Sequence, residues 1–144
     1  MHSKVVAVCT SLTKGERKKP VESVEVRRNH GVVGDSHAGN WPRQVSLLAL
    51  ESIQKTQILG LFFDAGDYAE NIITKGIVLT SLKIGSKLTL GDAVLEVTQV
   101  GDENHPCCAK NHESGGCLMS KEGIFVKVLK GGSIKPGDPI VQGI

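Results

Sequence analysis

The sequence predicts a mainly β domain, a closed or nearly closed β-barrel carrying one or two short helices. Three observations lead there. About seven or eight short stretches are rich in apolar and β-branched residues, glycine turns separate them, and only one stretch has a helical period. Closing the strands into a barrel would also remove exposed sheet edges. At 144 residues the chain fits one domain, 1–144, large enough to bury a core without covalent staples.

Residues 4–10 (KVVAVCT) read as a buried first strand with Cys9 in the core. Residues 14–20 (KGERKKP) read as a charged, solvated turn, with binding of an anion as the other reading of its basic run. Val24 and Val26 alternate with charged residues, which predicts a half-exposed strand over 22–27. Residues 30–43 (HGVVGDSHAGNWPR) mix Gly31, Gly34 and Gly39 with Asp35, His37, Asn40 and Arg43. A stretch this polar and glycine-rich is either a wall of a small-molecule site or a long hairpin loop, and composition leaves both open.

Residues 44–48 continue as a short apolar strand. Residues 49–58 (ALESIQKTQI) form the predicted helix, with Leu50 and Ile53 on one face and Glu51 and Lys55 spaced for an i,i+4 pair. Ser46 is its candidate N-cap and Gly60 its terminator. Residues 70–74 (ENIIT) read as a strand, with Glu70 and Asn71 as turn-closing polar residues. Beyond residue 77 the chain turns strongly β. Strands are predicted at 87–90 and 93–100, joined by the hairpin signal Gly91-Asp92, then at 124–129 and 139–141. GSKLTLGD (85–92) is faintly echoed by GSIKPGD (132–138), which suggests two similar hairpins in one barrel.

Composition narrows the function classes. Aromatic residues make up 3% of the chain, too few for base stacking to be a central activity, and a net charge of +2 implies neither nucleic acid nor membrane. The N-terminal apolar run of five residues is shorter than a signal-peptide core, and no stretch approaches a membrane span, so a cytoplasmic setting with reduced thiols is expected. GxGxxG, P-loop and HExxH motifs are absent.

The chemistry concentrates in GDENHPCCAKNHESGGCLMSKEG (101–123). It holds three of the four cysteines, Cys107, Cys108 and Cys117, together with His105 and His112. A structural zinc site would use four such ligands, but there is no CxxC and adjacent cysteines do not easily face one ion. A reactive thiolate is the second reading. Lys110, Lys121 and the two histidines are close in sequence, and Gly115-Gly116 could present amides, so a thiolate here could carry persulfide sulfur or bind a thiophilic metal. Ordinary buried thiols are the third.

The chain resembles the MOSC domain family, named after the C-terminal domain of molybdenum cofactor sulfurase, in its short stand-alone prokaryotic form. The resemblance rests on a series of motifs in order: GDSHAG (34–39), RQVSLL (43–48), AENIITKGI (69–77), LKIGSKLTLGDAVLEVTQVG (82–101), HPCCA (105–109), GGCLMSKEGIFVKVLKGG (115–132) and PGD (136–138). It implies a MOSC-type barrel. It also implies that Cys108 is the functional thiol, carrying persulfide sulfur or ligating the metal of a bound molybdopterin (molybdenum or tungsten), with His105 beside it and Cys117 as a second cysteine. Gly34, Asp35, His37, Arg43, Gln44, Asn71 and Lys121 are the implied contacts to the cofactor, an anionic small molecule. Arg43, loop amides and Lys121 would meet its phosphate. Implied partners are a pyridoxal phosphate-dependent cysteine desulfurase and molybdoenzymes. An alternative within the family is a molybdenum-dependent reductase of N-hydroxylated compounds with separate electron donors. The sequence departs from the family at Asn104, where a cysteine is common, and at 120–123, where Ser-Lys-Glu-Gly replaces Pro-Arg-Glu-Gly.

Overall fold

The structure, a computed structural model, describes residues 3–12, 18–58, 70–101 and 122–143. Eight strands form one sheet: β1 (Lys4–Thr10), β2 (Lys19–Val21), β5 (Val45–Ala49), β6 (Ile72–Lys75), β7 (Lys87–Leu90), β8 (Ala93–Val100), β9 (Ile124–Lys130) and β11 (Ile140–Gln142). Its order is β11-β7-β8-β9-β5-β6-β1-β2. A second sheet of three strands has the order β10-β3-β4, from β3 (Val24–Arg27), β4 (Gly31–Val32) and β10 (Gly132–Ile134).

All pairings in both sheets are antiparallel except one. β5 and β6 run parallel, Leu47 opposite Ile72 and Ala49 opposite Thr74. Parallel neighbours need a crossover connection, and helix α1 (Leu50–Ile58) lies in that connection. The large sheet curls until β1, its last strand but one, meets the chain at β11. Lys4 bridges to Pro139 just before β11, Val5 N donates to Asp138 O at 2.8 Å, and Ile140 N donates to Ser3 O at 2.9 Å.

The alternation of side chains sorts residues onto two faces. Val8, Leu47, Ile72, Leu88, Leu95 and Val126 belong to the main core. Leu48, Ile73 and Phe125 face the other way and pack with Ile53 of α1 into a smaller cluster. Burying Ile53 against that face is what gives a nine-residue helix its stability, since a helix this short is marginal alone.

The mainly β architecture is the one expected, with α-helix Leu50–Ile58 and a 3-10 turn at Leu79–Ser81 among the described residues. Among the described residues, closure is made by the Lys4–Pro139 bridge and its flanking backbone bonds rather than by a continuous ladder between β1 and β11. Eleven strands are found among the described residues, not seven or eight, because β2, β4 and β10 are two or three residues long and too brief to show a period. Ser46 is not an N-cap: it lies inside β5, which runs directly into α1. The i,i+4 pair also yields to long-range partners, with Glu51 accepting from Gly76 N at 2.9 Å and Lys55 donating to Glu122 at 3.0 Å. The two echoed segments are not equivalent hairpins, since β7 lies in the large sheet and β10 in the small one. They meet instead: Asp92 N donates to Ser133 O at 3.5 Å, and a Cβ on Gly91 would stand 2.8 Å from the same oxygen.

Thr74 is fully buried, and its hydroxyl has no hydrogen-bond partner among the described residues. Such a hydroxyl costs about 1–3 kcal/mol of desolvation, while valine keeps its volume. Thr74→Val is expected to raise the free energy of unfolding by about 1 kcal/mol, read from the shift of the denaturation midpoint.

Candidate functional site

The face that carries α1 does not stay apolar. Stepping by two from its apolar residues leads from Leu48 to Ser46, from Ile73 to Asn71, and from Ala7 to Cys9. These three polar residues therefore sit side by side on neighbouring strands. Asn71 joins them. Its Oδ1 accepts from Ser46 N at 3.1 Å and Ser46 Oγ at 3.2 Å, its Nδ2 donates to Cys9 O at 3.1 Å, and its own N donates to Ser46 Oγ at 3.0 Å. Glu70, fully buried, stands next to it. Burial first, and the Glu70 carboxylate second, push the Cys9 thiol up to about 12, against a lowering pull from Lys18. Cys9 is thus a core thiol kept protonated, as the sequence suggested.

Beyond Cys9 the chain meets a buried ion pair. Lys18 Nζ lies 2.8 Å from Asp35 Oδ1 and 3.0 Å from Oδ2, with both side chains wholly out of solvent. The same ammonium reaches His37 Nδ1 at 2.9 Å and Ser11 Oγ at 3.3 Å. Asp35 also accepts from Ser11 N and His37 N, each at 3.0 Å. Desolvation alone would raise the Asp35 carboxyl; the hydrogen bonds and charge of Lys18, with the two amides, outweigh it and hold the carboxyl below its ordinary value.

Gly31 brings this loop against β5. Its φ is +111°, and a Cβ there would stand 2.6 Å from Gln44 O, so only glycine allows the approach. The amides of residues 35–39 are already committed within the protein, Asp35 N to Val32 O, Ser36 N to Ser11 O, His37 N to Asp35 Oδ2, Ala38 N to Asp35 O and Gly39 N to His30 O. The loop is braced from inside rather than open as a nest of amides.

Arg43 lies on the other side of Ser46. Its guanidinium stacks 5.2 Å from the Phe125 ring centroid, and its Nε donates to Gln99 Oε1 at 3.0 Å. Phe125 pairs with Ser46 in the ladder. Gln99 Nε2 in turn donates to Gly101 O at 2.9 Å, at the root of the cysteine segment. That root is pinned: Val100 pairs with Ile124, and Gly101 N donates to Gly123 O at 2.8 Å. Glu122 fastens the returning end to α1, accepting from Ser52 Oγ at 2.7 Å and Lys55 Nζ at 3.0 Å.

The residues expected at the site divide accordingly. Three polar groups in succession make up what can be called a polar wall: Asp35 and His37 with Lys18 and Ser11, Asn71 with Ser46 and Cys9 O, and Arg43 with Gln99 over Phe125, which pairs with Ser46. Gln44 lies behind it, its Oε1 accepting from Val128 N at 2.9 Å, and Gly34 sits exposed at φ +84°. Cys108, Cys117, His105 and Lys121, with Cys107 and His112, lie outside the described residues. Among the described residues no three His, Cys, Asp or Glu side chains gather to hold a metal. The solvated-turn reading of 14–20 is corrected at Lys18, which is buried because Asp35 neutralises it. Glu70 and Asn71 are likewise buried rather than turn-closing. Lys18, Ser11, Ser46 and Gln99 were not singled out by the sequence as site residues. The one available signal was that Lys18 stands in a basic run some way before an aspartate, which is too common to decide anything.

Comparison with known proteins follows the same lines. A family model described as the MOSC domain matches residues 34–141. No curated protein matches the chain. The fold is similar to the YuaD protein of Bacillus subtilis, with a TM-score of 0.76 and 21% identity over 100% of this chain and 97% of that one. It is also similar to YiiM of Geobacillus stearothermophilus (0.73, 21%, 99% of this chain and 75% of that one) and YiiM of Escherichia coli (0.69, 20%, 100% and 70%).

Two outcomes are expected from this geometry. Because the folded Asp35 value is depressed, its contribution to stability is complete above the unfolded value of 3.8 and is lost as pH falls through the folded one. Denaturation midpoints of the wild type should therefore drop below about pH 4, and drop less steeply in Lys18→Met/Asp35→Asn. Cys9 should resist an alkylating reagent at about pH 8 in the folded protein and react once it is unfolded, as read by peptide mass mapping.

Proposed function

The chain belongs to the MOSC domain family, and from that premise we propose that it is a molybdenum (or tungsten) cofactor-binding or sulfur-carrier domain whose working thiol is Cys108. The family is associated with molybdenum cofactor-related, sulfurase-type domains. One observation supports the reading most. The described residues that flank the segment bearing Cys108 are bonded to each other, Gly101 N to Gly123 O at 2.8 Å, and that point is tied through Gln99 to Arg43. Both ends of the segment are thereby held beside Phe125 and Gln99, the residues that contact Arg43, and the reading requires Cys108 to reach that side of the fold.

The donor set of the wall suits an anionic, pterin-type ligand. Arg43 is the cation best shaped for a phosphate, because its planar fork can bond two oxygens at once and its stacking on Phe125 holds the plane. With the amides of 35–39 already bonded, Arg43 and Lys121 carry phosphate recognition, not the loop backbone. His37 contributes a polar ring edge, while Asp35, Asn71 and Gln44 shape and brace the wall behind it. When bound, the cofactor supplies a metal that takes thiolate sulfur as a ligand.

As a carrier, Cys108 needs only thiol chemistry. Its thiolate attacks the terminal sulfur of a donor persulfide, the new S–S bond forms as the old one breaks, and the donor leaves as a thiolate. Delivery reverses the step, with a nucleophilic acceptor taking the terminal sulfur and Cys108 leaving as thiolate. The donor would be a cysteine desulfurase and the acceptor a molybdoenzyme or its cofactor.

Anaerobic purification followed by metal, pterin and sulfane-sulfur assays separates the two roles. Metal and pterin that fall at least about tenfold in Cys108→Ala, a loss of about 1.4 kcal/mol or more, indicate ligation; sulfane sulfur on Cys108 without metal indicates the carrier. A Cys108→Ala protein that keeps the wild-type content of all three contradicts the proposal.

A further inference from the structure

We propose that Lys18 is a positioning residue that fixes the His37 ring as the tautomer bearing its proton on Nε2. An ammonium has three N–H donors and no acceptor. Its neighbours here are Asp35 Oδ1 and Oδ2 at 2.8 and 3.0 Å, His37 Nδ1 at 2.9 Å and Ser11 Oγ at 3.3 Å. The carboxylate stands at ion-pair distance from it, with both side chains shut away from water. A charged lysine can only donate, so Nδ1 must accept, and a neutral imidazole whose Nδ1 accepts carries its proton on Nε2.

Two other described neighbours of Nδ1 are weaker partners. Asp35 Oδ2 is 3.9 Å from Nδ1, beyond hydrogen-bond reach, and Ser36 Oγ is 3.5 Å away while lying 2.9 Å from Ser11 Oγ. The backbone of His37 is held on both sides, its N donating to Asp35 Oδ2 at 3.0 Å and its O accepting from Trp41 Nε1 at 2.8 Å. Ring and backbone are thus both anchored on the same buried pair. A lysine and an aspartate far apart in sequence do more here than neutralise each other.

The tautomer stands on geometry alone; its consequence rests on reading this face as the ligand wall. A ring fixed in this way carries an N–H at Nε2 and no lone pair there. What it can meet is an acceptor, namely a carbonyl oxygen, an anionic oxygen or an anionic sulfur.

Nitrogen NMR of the 15N-histidine-labelled protein tests this, with the His37 signals identified by their loss in His37→Gln. The wild type is expected to show a pyridine-type Nδ1 and a pyrrole-type Nε2 for His37. In Lys18→Met/Asp35→Asn, which removes both charges together, the two nitrogens should move toward averaged shifts. A wild-type His37 that is averaged, cationic or protonated on Nδ1 overturns the proposal, as does a double variant that keeps the wild-type pattern. Should the double variant not fold, the wild-type spectrum alone decides. Neither readout needs a bound cofactor or sulfane sulfur, so failure of the proposed function leaves this result legible.

Discussion

The side chain of Asn71 is the point on which the sheet turns. The single parallel pair, β5 with β6, sits in the middle of an otherwise antiparallel sheet, with β1 antiparallel on the far side of β6. Asn71 bonds both neighbours at once, Ser46 on β5 and Cys9 on β1, from a position 1% exposed. A buried amide left partly unsatisfied is expensive, so the register in which all of its partners are met is strongly favoured over slips by one residue. That register sets Ser46 against Phe125, and Phe125 beneath Arg43.

The second constraint is electrostatic. Lys18 and Asp35 have no contact with water, and a pair buried this completely adds little net stability over an apolar pair of the same shape. What it does impose is geometry. Removing either partner alone would leave a naked charge at a cost of about 3–5 kcal/mol, so the loop bearing His37 must close onto the end of β1 in one way. The stability of this corner is thereby coupled to the orientation of a half-exposed histidine. The cysteine segment is tied in comparably at Glu122, but through Lys55, which is largely exposed, so that contact guides more than it stabilises.

How much of this was legible in the sequence depended on range. β1, β3, β5, α1 and the β7–β8 hairpin were readable because their signals are local: an apolar run, alternation, a helical period, Gly91-Asp92. The roles of Ser46, Glu51 and Lys55 were not, since each has a plausible local partner and a better distant one that only the folded chain brings near. Lys18 was misread for the same reason. In a run of charges nothing marks the one lysine whose aspartate waits across the fold. The site showed the same division. The cysteine segment and the glycine-rich loop stood out by composition, whereas the Ser46–Asn71–Cys9 row, which pairs with Phe125 at one end, is built from residues that look ordinary one at a time.

The central claim is that Cys108 and the polar wall make one site. It can be tested by leaving Cys108 as the reactive thiol, with Cys107→Ser and Cys117→Ser, and capping it as the methyl disulfide. Nitrogen NMR would follow the His37 ring and the Arg43 Nε as the cap goes on. The account predicts that both signals shift in step with modification of Cys108. Complete modification that leaves both signals where they were would contradict it.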